Sequence, residues 1–262
     1  MPRKRERFER TDVPEPSPRR SLIGAVVAVA ALAVTAGIVM FAWNRATLES
    51  RMGDRSLAGA LSELSASSLA GPADGYVETG SEISSTLLLT ANSLDAQGAS
   101  LTAARILTVN ATTGTATLVN VPTDLALTVD EQPTTLSELF SGQGYAACVA
   151  PLGRAAGLRF GNVILATDDV LEEAAQLAGS DAETLVKSAS GFLSKIRTNM
   201  DAPALLSFAE TLAGIGVSNL AVVDAPLMAE TTTDEAGTVT ETGRQVLDQT
   251  QLGVAVGRFV AA

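Results

Sequence analysis

From Ile106 to Asp124 the chain reads ILTVNATTGTATLVNVPTD, and this stretch decides the fold. Arg105 to Asn110 (RILTVN) and Ala116 to Val121 (ATLVNV) are short, apolar and rich in β-branched residues, and Thr112-Thr113-Gly114 between them is turn chemistry. The two runs therefore predict an antiparallel hairpin. Upstream, Thr86 to Thr90 (TLLLT) predicts a further strand. Downstream, Thr135 to Gly142 and Ala146 to Gly157 have helical patterns, and Asn162 to Thr167 (NVILAT) reads as a buried strand. Asp168 to Ala178 predicts a helix capped by Thr167 or Asp168. Helices over 181–196 and 201–214, a strand from Asn219 to Asp224 and a polar hairpin through Asp234-Glu235-Ala236-Gly237 complete the chain. Strands alternating with helices predict a layered α/β domain, of the α+β kind.

The other end of the chain is read by length and charge. Ser21 to Trp43, SLIGAVVAVAALAVTAGIVMFAW, contains no charged residue and at about 1.5 Å per residue is long enough to cross a ~30 Å hydrocarbon core. Arg3, Lys4, Arg5, Arg7, Arg10, Arg19 and Arg20 precede it, whereas only Arg45 and Arg51 closely follow, which predicts a cytoplasmic N-terminus. Leucines at 48, 57, 61, 64 and 69 then predict a helix leaving the membrane over Arg45 to Leu69, ended by Gly71-Pro72-Ala73-Asp74-Gly75. The expected organisation is a basic tail (1–20), a transmembrane helix (21–43), a juxtamembrane helix and linker (44–75) and an extracytoplasmic domain (76–262) of a single-pass cell-membrane protein.

Composition excludes several chemistries. The chain has no histidine, so histidine triads and histidine-ligated metals are ruled out. Cys148 is the single cysteine and lies among small apolar residues, which predicts a packing role. The first twenty residues carry seven basic and four acidic side chains, so of the net charge of −11 the tail holds +3 and the remainder −14. A domain that acidic is a poor partner for nucleic acid. No G-x-S-x-G or phosphate-loop lysine is present. Asp168, Asp169, Glu172 and Glu173 read as the solvated first turn of a helix, where the macrodipole favours acidic residues.

The order of elements from Thr86 to Gly179 resembles the LytR-CpsA-Psr family of bacterial envelope proteins. Family members run a strand, the turn Asn-Pro-Lys-Thr and a second strand ending in Ile-Pro-Arg-Asp; here Asn110 and Pro122-Thr123-Asp124 match in position. Leu136-Ser137-Glu138-Leu139-Phe140, Gly157 to Val163, Leu171 to Gly179 and Ile196-Arg197-Thr198-Asn199-Met200-Asp201 resemble later family segments. The resemblance implies a central mixed sheet flanked by helices, with the Thr86–Thr90 strand beside the hairpin. It also implies transfer of a glycopolymer from a polyprenyl-pyrophosphate carrier onto peptidoglycan in a Gram-positive envelope.

That transfer needs arginines to hold pyrophosphate and acidic residues to hold magnesium or take a proton. The family's Gly-x-Asp falls on Thr90-Ala91-Asn92, its Arg-Ser-Asp-Thr on Ser100-Leu101-Thr102-Ala103, and the arginine of Pro-Arg-Asp on Thr123. Asp124 stands in place as the candidate catalytic carboxylate, with Asn92 and Asp124 as candidate metal ligands and Arg105, Arg154 and Arg159 as candidate pyrophosphate contacts. The expected function is a catalytically degenerate, anchored scaffold needing no cofactor, with the membrane, a polyprenyl lipid, peptidoglycan or an active paralogue as partners. The alternatives are a magnesium-dependent transferase with a diverged site and an unrelated anchored binding domain.

Overall fold

The computed structural model describes residues 51–69, 71–95, 97–170, 194–233 and 237–262. Its centre is a six-stranded mixed sheet of order β8-β7-β2-β3-β4-β9. The strands are β2 (Ile83–Ala91), β3 (Leu101–Asn110), β4 (Thr115–Val121), β7 (Phe160–Thr167), β8 (Ile196–Thr198) and β9 (Leu220–Asp224). The expected hairpin is β3–β4, closed with Asn110 opposite Thr115. β2 pairs antiparallel with β3 from Ile83↔Asn110 to Ala91↔Leu101, so the Thr86–Thr90 strand lies beside the hairpin in one sheet. β7 and β9 add parallel to β2 and β4.

Alternation along the strands gives the sheet two apolar faces. Leu87, Leu89, Ala104, Ile106, Val119, Val163 and Leu165 build the larger core, with α1 (Arg55–Ala66), α2 (Leu136–Gln143), α3 (Val149–Ala156) and α5 (Gln249–Ala255) contributing to it. Leu107, Val109, Ala116 and Leu118 face the other way, under Phe208, Leu212 and Ile215 of α4 (Ala202–Ile215). The result is a mixed sheet flanked by helices, the arrangement the sequence led us to expect. The helix that follows the expected membrane span is α1; its Leu57 and Leu64 are wholly buried in the main core. Leu64 presses on Gly153 of α3 so closely that a Cβ there would overlap its methyl groups.

Helix ends follow local chemistry. Thr135 and Glu138 form a reciprocal capping box on α2, and Asp201 caps α4 by accepting from the Ala204 N–H at 2.9 Å. Among the described residues there are also three small antiparallel ribbons: β1 (Tyr76–Glu78) with β12 (Phe259–Ala261), β5 (Ala126–Val129) with β6 (Gln132–Thr135), and β10 (Leu227–Thr233) with β11 (Val239–Leu247). The last is the expected polar hairpin. The β5–β6 turn places Asp130 and Glu131 at φ 49° and 66°, the two left-handed positions of a type I′ hairpin.

Several expectations need adjustment. Residue 196, read as the end of a helix over 181–196, opens strand β8, because Ile196 pairs with Ala166 at the edge of the sheet. The helix drawn over Arg45 to Leu69 spans Arg55–Ala66 within the described part. The expected membrane span Ser21–Trp43, the body of the helix Asp168–Ala178, the family-like segment Leu171 to Gly179 and residues 181–193 of the helix expected over 181–196 lie outside the described residues. Among the described residues no helix is long and apolar enough to cross a membrane.

Candidate functional site

The parallel pair β2 and β7 ends at Ala91 and Thr167, and crevices beyond the carboxyl ends of parallel strands are where α/β sheets hold ligands. Asn92 follows β2 there. Asp168 follows β7, and Thr102, the second residue of β3, lies alongside, its hydroxyl shared between the Thr90 carbonyl at 3.0 Å and the Asp168 carboxylate. β4 ends at the same level, since Val121 pairs with Ala104 and Ala104 with Leu89. Asp124, three residues on, therefore shares this end of the sheet, two strands from Asn92 or on the order of 10 Å away.

Asn92 acts locally. Its Oδ1 accepts from the Ser100 N–H at 2.8 Å and its own N–H donates to the Ser100 carbonyl at 3.2 Å, which closes the loop joining β2 to β3. Asp124 is exposed. It lines a cavity of about 340 Å³ whose walls also include Thr135, Arg244 and Gln245. Asp169 is drawn below its ordinary carboxylate range by hydrogen bonds from Lys195, at 2.6 Å, and Thr167.

The three candidate arginines do not meet. Arg105 projects from β3 on the α4 face, donating from Nε to Asn120 Oδ1 at 3.3 Å, and Asn120 in turn donates to Asp224 at 3.0 Å. Burial lowers its guanidinium. Arg154 is ion-paired with Glu63 of α1 at 3.5 Å, and Arg159 donates to the Ser67 carbonyl at 3.4 Å, just past the end of α1. Arg159 immediately precedes Phe160, which pairs with Ser85 at the start of β2. It is thus a strand length, on the order of 20 Å, from Asn92. The candidate metal ligands are one neutral amide, Asn92, and one carboxylate, Asp124, two strands apart. The Asn92 oxygen is engaged by backbone, and among the described residues no three acidic or cysteine side chains gather to hold an ion.

A more buried polar cluster lies elsewhere, at the β8 edge. Asp54, the N-cap of α1, accepts from Arg197 Nη1 at 2.7 Å and from the Tyr145 hydroxyl at 3.0 Å on Oδ2, and from the Ser56 N–H at 2.8 Å on Oδ1. Arg197 lies over the Tyr145 ring, 5.3 Å from its centroid. The backbone around it is stitched by Thr198 N–H to the Arg51 carbonyl, Asp54 N–H to the Thr198 carbonyl and Gly53 N–H to the Met200 carbonyl, each at 3.0 Å. Burial alone would raise the Asp54 carboxyl, but hydrogen bonds from Ser56, Arg197, the Leu57 N–H and Tyr145 outweigh it and hold it down at about 2. Sequence reading missed this cluster, because its members come from residues 54, 145 and 197, with no local spacing to mark them. Arg244 was missed for the same reason. Cys148 is fully buried and its thiol is pushed up to about 12 by burial, consistent with packing.

No protein-family model matches the chain, and no curated protein matches it. Solved structures similar to it include TagV from Bacillus subtilis, 10% identical with a TM-score of 0.46, covering 68% of this chain and 96% of that one. TagT from the same organism, solved bound to LI-WTA, is 13% identical with a TM-score of 0.46, covering 72% of this chain and 99% of that one. Lin1025 from Listeria innocua is 12% identical with a TM-score of 0.46, covering 67% and 95%. TagV and TagT are LytR-CpsA-Psr proteins. Likenesses at this level assign neither activity nor ligand to the chain.

Proposed function

We propose that the chain is an anchored, extracytoplasmic LytR-CpsA-Psr-like protein of a Gram-positive cell envelope that keeps the family's sheet and has lost its hold on pyrophosphate. It acts as a binding or scaffold subunit in the assembly of cell-wall glycopolymers, alongside an active paralogue or on peptidoglycan. The resemblance of Ile106 to Asp124 to the family hairpin supports the kinship, and β2 pairs beside that hairpin as the kinship requires. One observation carries the loss of chemistry: each side chain called on to replace the missing arginines is engaged elsewhere, Arg105 with Asn120, Arg154 with Glu63 and Arg159 with the end of α1. A charged hydrogen bond contributes about 1.5–3 kcal/mol, so a site without several of them forfeits most of its affinity for a pyrophosphate headgroup.

The reading is tested by incubating the full chain, in detergent, with a polyprenyl-pyrophosphate-linked glycopolymer, peptidoglycan and magnesium. The expected result is no polymer attached to peptidoglycan above background. Attachment that depends on Asp124 would establish a diverged transferase instead. Anchoring is tested separately by protease treatment of intact cells. Removal of residues 44–262 with retention of the tail is expected, and protection of the whole chain would overturn the topology.

A further inference from the structure

We propose that the cavity bounded by the β4–β5 turn and strand β11 binds a small amphoteric molecule, one carrying a primary ammonium group and a carboxylate. The inference stands apart from the envelope reading, since it rests on this cavity alone. At about 340 Å³ the cavity is at the lower end of small-ligand sites. Pro122, Leu125 and Leu227 give it an apolar lining, and Asp124 and Arg244 give it two opposite charges.

Arg244 is held in place before any ligand arrives. Its Nη2 donates to the Leu127 carbonyl at 2.9 Å and to the Thr134 carbonyl at 2.8 Å, bridging the two strands of the β5–β6 ribbon. Its Nε lies 3.6 Å from Glu230 Oε2, a carboxylate steadied by the Thr242 hydroxyl at 2.7 Å. A guanidinium has five N–H donors, and among the described residues Nη1 has no partner. Nη1 is the nitrogen left to donate to a ligand carboxylate, through a charge-assisted hydrogen bond.

Asp124 supplies the complementary half. It is exposed, and among the described residues its carboxylate accepts no hydrogen bond and joins no ion pair. The charged residues of the lining, Asp124 and Arg244, sum to zero, and Glu230 beside Arg244 brings the surroundings to −1, with the Asp124 charge uncompensated. That balance disfavours a polyanion such as pyrophosphate and favours a ligand that brings a cation to Asp124. A zwitterion satisfies both groups and adds no net charge.

The test is calorimetric titration of the full chain in detergent with alanine, ethylamine and propionate, in the wild type and in Asp124→Asn. Asp124 has no structural partner among the described residues, so the variant is expected to fold as the wild type does. Alanine is expected to bind more tightly than either half-molecule and to lose at least tenfold in affinity in Asp124→Asn. Alanylalanine separates a free amino acid from a peptide as the source of the chemistry: both carry the proposed groups, and tighter binding of the dipeptide assigns the site to peptide ends. Absence of alanine binding, unchanged binding in Asp124→Asn, or inorganic pyrophosphate binding more tightly than alanine would each overturn the proposal.

Discussion

At the β8 edge, Asp54 and Arg197 are joined at 2.7 Å, with Asp54 only 7% and Arg197 23% exposed at their side chains. At the carboxyl end of the sheet, Asp169 and Lys195 are joined at a similar 2.6 Å but stand 56% and 33% exposed. Two ion pairs of nearly equal length thus do different work. The first ties the chain entering from residue 51 to the sheet and to Tyr145, in surroundings where a lone charge is costly. The second is screened by water and contributes little.

The largest effect should come from breaking the buried pair. Asp54→Ala removes the partner of Arg197 and the cap of α1 together, and it should cost about 3 kcal/mol or more in urea unfolding. A loss under about 1 kcal/mol would make the two pairs equivalent and undo the contrast. Next in size, Gly153→Ala should cost about 2 kcal/mol, because its Cβ has no room against the wholly buried Leu64. A neutral result would mean that the α1–α3 contact is looser than the edge it supports.

Acid sharpens the same comparison. Asp54 has a folded value of about 2 against an ordinary 3.8, so its contribution is complete above about pH 4 and is lost as the pH falls through about 2. Wild-type stability should fall across that window, and Asp54→Asn, already weakened, should show a shallower slope in acid-titrated urea melts. The smallest effect belongs to the exposed pair: Asp169→Asn should leave the urea midpoint unchanged within error.

Much of the sheet was legible because its strands are long, apolar and separated by clear turns. The hairpin around Thr112-Thr113-Gly114, the Thr86–Thr90 strand and the Asn162–Thr167 strand all lie in the central sheet. The short pieces were not legible. β1, β8 and β12 have three residues each and are strands only because of what they pair with, as Ile196 does with Ala166. The seven-residue α5 has too few positions to show a period. The candidate site divides in the same way. Asn92 and Asp124 are placed by register with the family's strand ends and share one end of the sheet. The fate of Arg105, Arg154 and Arg159 depended on partners distant in sequence, Asn120, Glu63 and Ser67.

The central claim is a family-like sheet without a pyrophosphate grip, and its most direct test is titration of the full chain in detergent with a short polyprenyl pyrophosphate, with and without magnesium. The account predicts no magnesium-dependent heat of binding. Micromolar binding that requires magnesium would contradict it and would place functional arginines at the strand ends after all.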